Sequence, residues 1–394
     1  MKFKVPFSGV GAKYTEHEKQ VVMSAMESVD TLTQGKYQAA FEDKFSEFVS
    51  KKHSFATSCA ASALELAAIL LQLKPGDEVV CPAHTYNASA YPFAKHGAKL
   101  VWADINEETW LVDVDVLEKV VNKKTRAVVV VHLYGAPANM PQIVEFCSKR
   151  GILVIEDCAQ AIGASFNGRP VGSFGDLSIF SFHSHKNIST LGEGGMICTD
   201  HERFARLIPG LRHNGHASYK GRDPRYYWKP AMSNVDVDID GVWPSNFCIG
   251  EVQCALGMAM LPRIQEINNG RRRRHHAFAE KIKGVSQLTL QRIHDQGVST
   301  HHLLPIKFIG KKVDRDLVIE KLAYDYQIQA IVQYYPLNRY PLFIKNGFGD
   351  AVIPNTDQYF DNMISLPFQH WMSDTDFDYV INSLLECIHR FDCQ

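Results

Sequence analysis

The chain has 394 residues, 45% of them hydrophobic, and a formal net charge of −1. These values exclude a natively disordered chain and give no support to a polycationic nucleic-acid binder, and the length allows two domains with a large core. No apolar run reaches about eighteen residues, and no charged-then-apolar leader opens the sequence, so neither a membrane span nor a signal peptide is expected and the expected location is cytoplasmic.

In chain order, apolar strand-like runs alternate with helix-like segments: "HSFATSC", "AASALELAAILLQL", "DEVVCP", "AKLVWADI", "RAVVVVHLYG", "GILVIED" and "LSIFSFH". Turn signals such as "KPGD" and "KHGAK" separate them, and no fixed-period repeat is present. This rhythm predicts an α/β domain with a mostly parallel central sheet flanked by helices. After about Asn269 the character changes to a long basic helix, a strand "HHLLPIKFI", a helix "RDLVIEKLAYDY" and a final amphipathic stretch "TDFDYVINSLLECIHRF". The expected division is a large domain over residues 1–268, including the N-terminal segment, and a smaller α+β domain over 269–394. The run "GRRRRHH" within the basic helix reads as a solvated or salt-bridged helical face, with phosphate gripping the alternative. Nine cysteines, an odd number without a CxxC pair, suit buried thiols in a reducing compartment, and no disulfide framework or metal site is expected.

In open α/β sheets ligands sit outside the carboxyl ends of the strands. Asp157 ends "GILVIED", and Gln160 follows three residues later, where a helical turn would put both on one side. Asp157 has two readings, a cofactor partner or an N-cap of the next helix. "LSIFSFH" ends at Ser181 and His183, and Lys186 follows. A desolvated lysine at a strand end can form a Schiff base with an aldehyde cofactor. Pyridoxal 5'-phosphate also needs an acid beside its ring nitrogen, a phosphate cradle and a flat contact for its ring. Ala60 and Ala61, where "TSCAASALEL" turns from strand to helix, can offer backbone N–H groups to a phosphate or simply pack closely. Tyr86, in the loop after "EVVCP", can stack on a heterocycle or belong to the core. His183 and His185, flanking the lysine loop, invite metal or acid-base roles when taken alone.

The segment "EDCAQAIGASFNGRPVGSFGDLSIFSFHSHKNISTLGEGGMICTD", residues 156–200, resembles the signature of the DegT/StrS family of pyridoxal-phosphate-dependent sugar aminotransferases. The likeness continues upstream through "FEDKFSEFVSKKHSFATSCAASALELAAILLQLKPGDEVVCPAHTYNASA" and downstream through "NFCIGEVQCALGMAML" and "PNTDQYFDNMISLP", covering most of the chain. It implies the aspartate aminotransferase (fold type I) architecture. It also implies Lys186 as the Schiff-base lysine, Asp157 as partner of the ring nitrogen, Gln160 at the phenolic oxygen and Tyr86 against the ring. Ser181 with the backbone of Ala60 and Ala61 would hold the phosphate, and His183 would support the pocket. Asn246 would reach the cofactor of a neighbouring copy, placing the active site at a homodimer interface.

The chain departs from the family pattern at several positions. Cys59, Ala60 and Ala61 stand where the family reads Ser-Gly-Thr, with Ser62 the available substitute hydroxyl; Phe247 and Cys248 follow Asn246 where Tyr-Arg is usual; and Asn338 replaces a histidine. The segment over 212–247 is long and rich in charged and aromatic residues, either a substrate loop or a surface excursion packed on a partner subunit. Its cations Arg212, Lys220, Arg222, Arg225 and Lys229 are the candidates to meet the diphosphate of a nucleotide-linked sugar.

The resemblance implies transfer of an amino group from L-glutamate to a keto-deoxysugar carried on a nucleotide, in deoxyamino-sugar and polysaccharide biosynthesis. Alternatives within the fold are a cyclitol or small phosphorylated ketone as acceptor, or dehydration in place of transamination. A regulator that retains the cofactor is a third class, against which stand the complete lysine, aspartate and glutamine set and the absence of an appended DNA-binding module. No nucleic-acid or membrane partner is expected.

Overall fold

The computed structural model describes residues 2–28, 31–216, 239–310 and 313–392. Two helices, α1 (Glu16–Ser28) and α2 (Lys36–Val49), precede β1 (His53–Thr57) and the core helix α3 (Ala60–Leu71). There follow β2 (Glu78–Pro82), β3 (Lys99–Ala103), β4 (Thr125–Val131) and β5 (Leu153–Asp157), then the short β6 (Ser165–Phe166) and β7 (Arg169–Pro170). β8 (Leu177–Ser181) and β9 (Gly195–Thr199) complete a seven-stranded sheet of order β1-β9-β8-β5-β4-β2-β3. The pairings β2–β3, β2–β4, β4–β5 and β5–β8 are parallel, while β8–β9 and β1–β9 are antiparallel. The sheet is therefore mostly parallel, as the alternation of strands and helices predicts.

Burial on both faces explains why these strands read as continuous apolar runs. Every residue of β2, β8 and β9 is buried. β8 shows the two-residue alternation directly: Leu177 and Ile179 join one hydrophobic cluster, Phe180 the cluster on the other side with Phe41 and Phe45. α3 is apolar on nearly all sides, and Ser62 to Leu70 are buried, so it lies inside the fold rather than on it.

The C-terminal strands β10 (Leu288–Leu290), β12 (Leu304–Phe308) and β13 (Met363–Leu366) form an antiparallel sheet, and β11 (Gly297–Val298) pairs with β6. Helix Asp374–Asp392 packs on the C-terminal sheet through Val380, Ile381 and Leu384. Val5 joins this cluster from the other end of the chain, bridged to Ile328. Leu303, Leu337 and Tyr359 pack instead into the core of the main sheet. The helix Ile264–Lys281 runs unbroken past residue 269. Its buried residues Ile264, Ile267, Asn268, Arg271 and Phe278 follow helical spacing, so the arginine run is not a solvated face throughout. Arg271 is 1% exposed and donates to the carbonyls of His302, Phe368 and Gly11.

Cys81, Cys147, Cys158, Cys198 and Cys254 are buried free thiols. Among the described residues no helix is long and apolar enough to cross a membrane.

Candidate active site

Because β1 and β8 both run antiparallel to β9, the carboxyl ends of β1, β2, β4, β5 and β8 open on one edge of the sheet together with the start of β9. A cavity of about 420 Å³ lies there. Ala60, Ala61, Tyr86, Asp157, Gln160, Ser181, His183 and Lys186 all line it. The topology thus unites residues up to 126 positions apart in sequence, from Ala60 to Lys186.

Lys186 sits on the hairpin joining β8 to β9, whose arms are tied by Phe182 N to Gly194 O at 2.8 Å and Ser184 N to Gly192 O at 2.9 Å. Lys186 N donates to His183 O at 2.8 Å, which turns the loop back on itself. Its Nζ has no hydrogen bond or ion pair among the described residues. Burial pushes the Lys186 amine down to about 8, against the opposing pull of Asp157 and Glu193.

Asp157 ends β5 and is 4% exposed. Its Oδ2 accepts from Ser89 Oγ at 2.7 Å and its Oδ1 from Ala159 N at 3.0 Å. Consecutive turns follow β5, with Ala161 N on Cys158 O and Ala164 N on Ala161 O, so the expected helical turn is absent. Asp157 is therefore not a helix N-cap; it closes a local turn and presents its carboxylate to the cavity wall. Gln160 still faces the same cavity. Its Oε1 accepts from Tyr134 N at 2.8 Å, which fixes the amide, and its Nε2 donates to Tyr334 Oη at 3.0 Å.

At the other end of the cavity, α3 begins directly after β1. Ala63 N is the first amide bonded back, to Cys59 O at 3.2 Å, so the amides of residues 60–62 precede the ladder. Gly195 presses on this turn: a Cβ there would lie 2.4 Å from Cys59 C and 2.6 Å from Ala60 N. Ser62 Oγ lies 2.9 Å from Ser58 Oγ and 3.2 Å from Cys59 Sγ. Ser181 Oγ accepts from His183 N at 3.3 Å. Tyr86 is 59% exposed at the mouth, which removes the core reading of that ring. His183 Nε2 lies 3.6 Å from Glu193 Oε1, and its Nδ1 accepts from His185 N.

Of the substrate candidates, Lys220, Arg222, Arg225 and Lys229 lie outside the described residues. Arg212 is described, and its expected role is corrected. It is 4% exposed, does not line the cavity, and donates through Nη1 to Glu42 Oε1 and Ala56 O. Its backbone carbonyl takes Phe247 N at 2.8 Å, and Phe247 O takes Ser58 N at 2.8 Å, so Arg212 buttresses the strand end ahead of α3. A buried guanidinium committed to the Glu42 carboxylate in this way is not free for a diphosphate. Asn246 is exposed beside this strand end, bridged to His213, and its Oδ1 accepts from Cys248 N at 3.3 Å.

Sequence reasoning missed several cavity residues: Phe7, Ser8, Ser89, Arg271, His302 and Tyr334. Helical spacing from Ile264 could have placed Arg271 on a buried face. The others come from irregular segments far from the strand ends they meet, and no local pattern marks them.

Under the cavity floor, His132, Glu156 and Cys158 bring ligand-type atoms within 4.8 Å of one another. His132 Nδ1 accepts from Ala138 N at 3.1 Å, so Nε2 carries the proton and donates to Glu156 Oε2 at 3.1 Å. Glu156 also accepts from the amides of Gly172, Phe174 and Gly175 at 2.8, 2.8 and 2.5 Å. With its lone pairs so occupied, the carboxylate reads as a structural buttress and not a metal ligand.

The residues fit pyridoxal phosphate. A cavity-lining amine with no partner, a held carboxylate at a strand end and free amides at a helix start narrowed by Gly195 are the donor set such a group requires. A cavity with this arrangement at the carboxyl edge of an α/β sheet defines the class of fold type I transferases.

The comparisons with known proteins agree. The family model for the DegT/DnrJ/EryC1/StrS aminotransferases matches residues 13–385, and the chain belongs to that family. It is 32% identical over 384 residues to the spore coat polysaccharide biosynthesis protein SpsC of Bacillus subtilis, covering 96% of each chain. GDP-perosamine synthase of Caulobacter vibrioides is 30% identical over 379 residues, covering 93% of this chain and 94% of the synthase. Among solved structures, Spr1654 of Streptococcus pneumoniae in its PMP form superposes with a TM-score of 0.87 at 26% identity, over 98% of this chain and all of that one.

Proposed function

We propose that this aminotransferase uses pyridoxal 5'-phosphate to move an amino group from L-glutamate to a keto group of a nucleotide-linked deoxysugar. The observation that carries the reading is Lys186 Nζ, without a partner in a cavity it shares with Asp157 and Gln160. Similarity to a GDP-perosamine synthase supports a nucleotide-sugar acceptor. Bound there, the cofactor supplies an aldehyde to receive the amino group and a ring to accept electrons.

Each residue then has a defined task. Lys186 Nζ anchors the cofactor and, when free, holds and moves the proton at the reacting carbon. Asp157, kept in place by Ser89 and Ala159, keeps the ring nitrogen protonated. Gln160 donates to the ring's phenolic oxygen, and Tyr86 covers the ring face. The amides around Ala60 and Ala61, with Ser181, hold the phosphate, and His183 supports the lysine loop. Asn246, exposed beside the phosphate end, is suited to reach a second copy's cofactor, which makes the working unit a homodimer. The segment carrying Arg222 and Arg225 is the proposed contact for the acceptor's diphosphate.

Incubation with glutamate and a panel of keto-sugar nucleotides and simple ketones tests this, read as 2-oxoglutarate formed in step with an amine. Turnover with a cyclitol or phosphorylated ketone alone would replace the sugar reading, and loss of water without 2-oxoglutarate would replace transamination.

Two consequences follow for the cofactor itself. Lys186 must be neutral to attack an aldehyde, and burial pushes its amine down to about 8. Cofactor capture in stopped flow is thus expected to accelerate about tenfold per pH unit below that value and level off above it. An ordinary lysine would carry the rise on to about pH 10.4. In Gly195→Ala the added methyl displaces the start of α3, and affinity for pyridoxal phosphate should fall on the order of tenfold or more. Affinity for phosphate-free pyridoxal, measured by the same absorbance titration, should change little.

A further inference from the structure

The hydrogen-bond directions around Gln160 leave one proton unplaced. Tyr134 N donates to Gln160 Oε1 at 2.8 Å, so the amide nitrogen must face the other way, and Nε2 donates to Tyr334 Oη at 3.0 Å. Tyr334 is the acceptor in that contact, and its own phenolic hydrogen has no acceptor among the described residues. The ring that carries it is held firmly. It lies nearly parallel to Tyr134 at 6.4 Å between centroids, with the edge of Tyr86 at 6.2 Å, and the preceding carbonyl, Gln333 O, accepts from Tyr134 Oη at 2.6 Å. Tyr334 lines the cavity with Gln160, Asp157 and Lys186.

Tyr334 is partly buried at the cavity wall, and a polar hydrogen held there without an acceptor is costly unless a ligand or water completes it. We propose that Tyr334 is a ligand-binding residue of this site, its phenol donating a hydrogen bond to a negatively charged oxygen of the molecule bound beside Gln160. The proposal rests on the function proposed above, in which that oxygen belongs to the cofactor ring or to the carboxylate of the amino donor. Tyr334 is thus one of the residues, with Arg271 and His302, that the C-terminal segment contributes to the site. Burial also raises the Tyr334 phenol above its ordinary range, which keeps it a donor at every working pH.

Tyr334→Phe tests this, because it removes the hydroxyl and keeps the ring contacts with Tyr86 and Tyr134. Three quantities are measured on the wild type and the variant: Tm, the dissociation constant for pyridoxal phosphate by absorbance, and the apparent dissociation constant for glutamate in the single-turnover half reaction. Loss of a hydrogen bond to a charged oxygen predicts about a tenfold or greater rise in one constant, with Tm little changed. A rise for the cofactor, accompanied by a shifted pH midpoint of its absorbance band, assigns the oxygen to the ring. A rise for glutamate alone assigns it to the donor carboxylate. Both constants unchanged would overturn the proposal and leave the aminotransferase reading intact. Failure of the wild type to bind pyridoxal phosphate would instead overturn the reading on which it rests.

Discussion

Lys186→Ala is expected to lower 2-oxoglutarate formation by roughly 10²–10⁴-fold or more, the range associated with loss of a positioned acid-base group. The loss should be larger still if covalent anchoring is rate-determining, because no other described lysine lines the cavity. The fold should not suffer. Lys186 Nζ bonds to nothing among the described residues, and burial lowers its amine, so the folded protein disfavours the charged form. Removing the side chain relieves that cost, and Tm is expected to stay level or rise, the usual trade between stability and activity at a working site. Turnover by the variant at the wild-type rate would remove Lys186 from the chemistry, whatever the cavity looks like.

Glu156→Ala is expected to act in the opposite way, through the fold first. The Glu156 carboxylate is 0% exposed and accepts from three backbone amides and from His132. Alanine would strand those donors where water cannot replace the partner, at a cost of about 3–5 kcal/mol. Denaturant unfolding reads this directly. Acid stability carries the same information. Burial opposes ionisation of Glu156, but hydrogen bonds from His132, Gly175 and Gly172 outweigh it and hold the carboxyl below its usual range. A carboxyl lowered in the folded state contributes stability above the ordinary carboxylate range and loses it as pH falls through the folded value. The wild type should therefore lose stability with acidification more steeply than Glu156→Ala. Since Asp157 is the next residue on β5, the variant should also bind cofactor less well at temperatures where it remains folded.

The two neighbours at the end of β5 show how unevenly function was legible. Glu156 and Asp157 are equivalent in the sequence, two acids closing an apolar strand. Alternation along the strand sends them to opposite faces, one under the sheet edge and one to the cavity. The resemblance to the sugar aminotransferases separated their roles, whereas composition and spacing did not. Strands and helices of the main sheet were legible because both faces are buried and the apolar runs are long. Arg212 was misread because its partner, Glu42, lies 170 positions away. Within the arginine run, Arg274 pairs with Asp374 as a salt-bridged face would, whereas Arg271 lies on the inward stripe beside Ile267 and Asn268, a placement that helical phase decides and charge does not.

By itself the sequence determined the alternating α/β architecture, the strand ends that carry Lys186, Asp157 and Gln160, and the family likeness that links them, because these depend on short-range periodicity and on motifs contiguous in the chain. Only the tertiary structure decided which charges are spent inside the fold and which face the cavity. It also brought Tyr334, His302 and residues 7–11 to the lysine, and it set the direction of the Gln160 amide. Those outcomes depend on hydrogen-bond partners supplied by distant segments, and a polar side chain's role is decided by the partner it finds once water has been excluded.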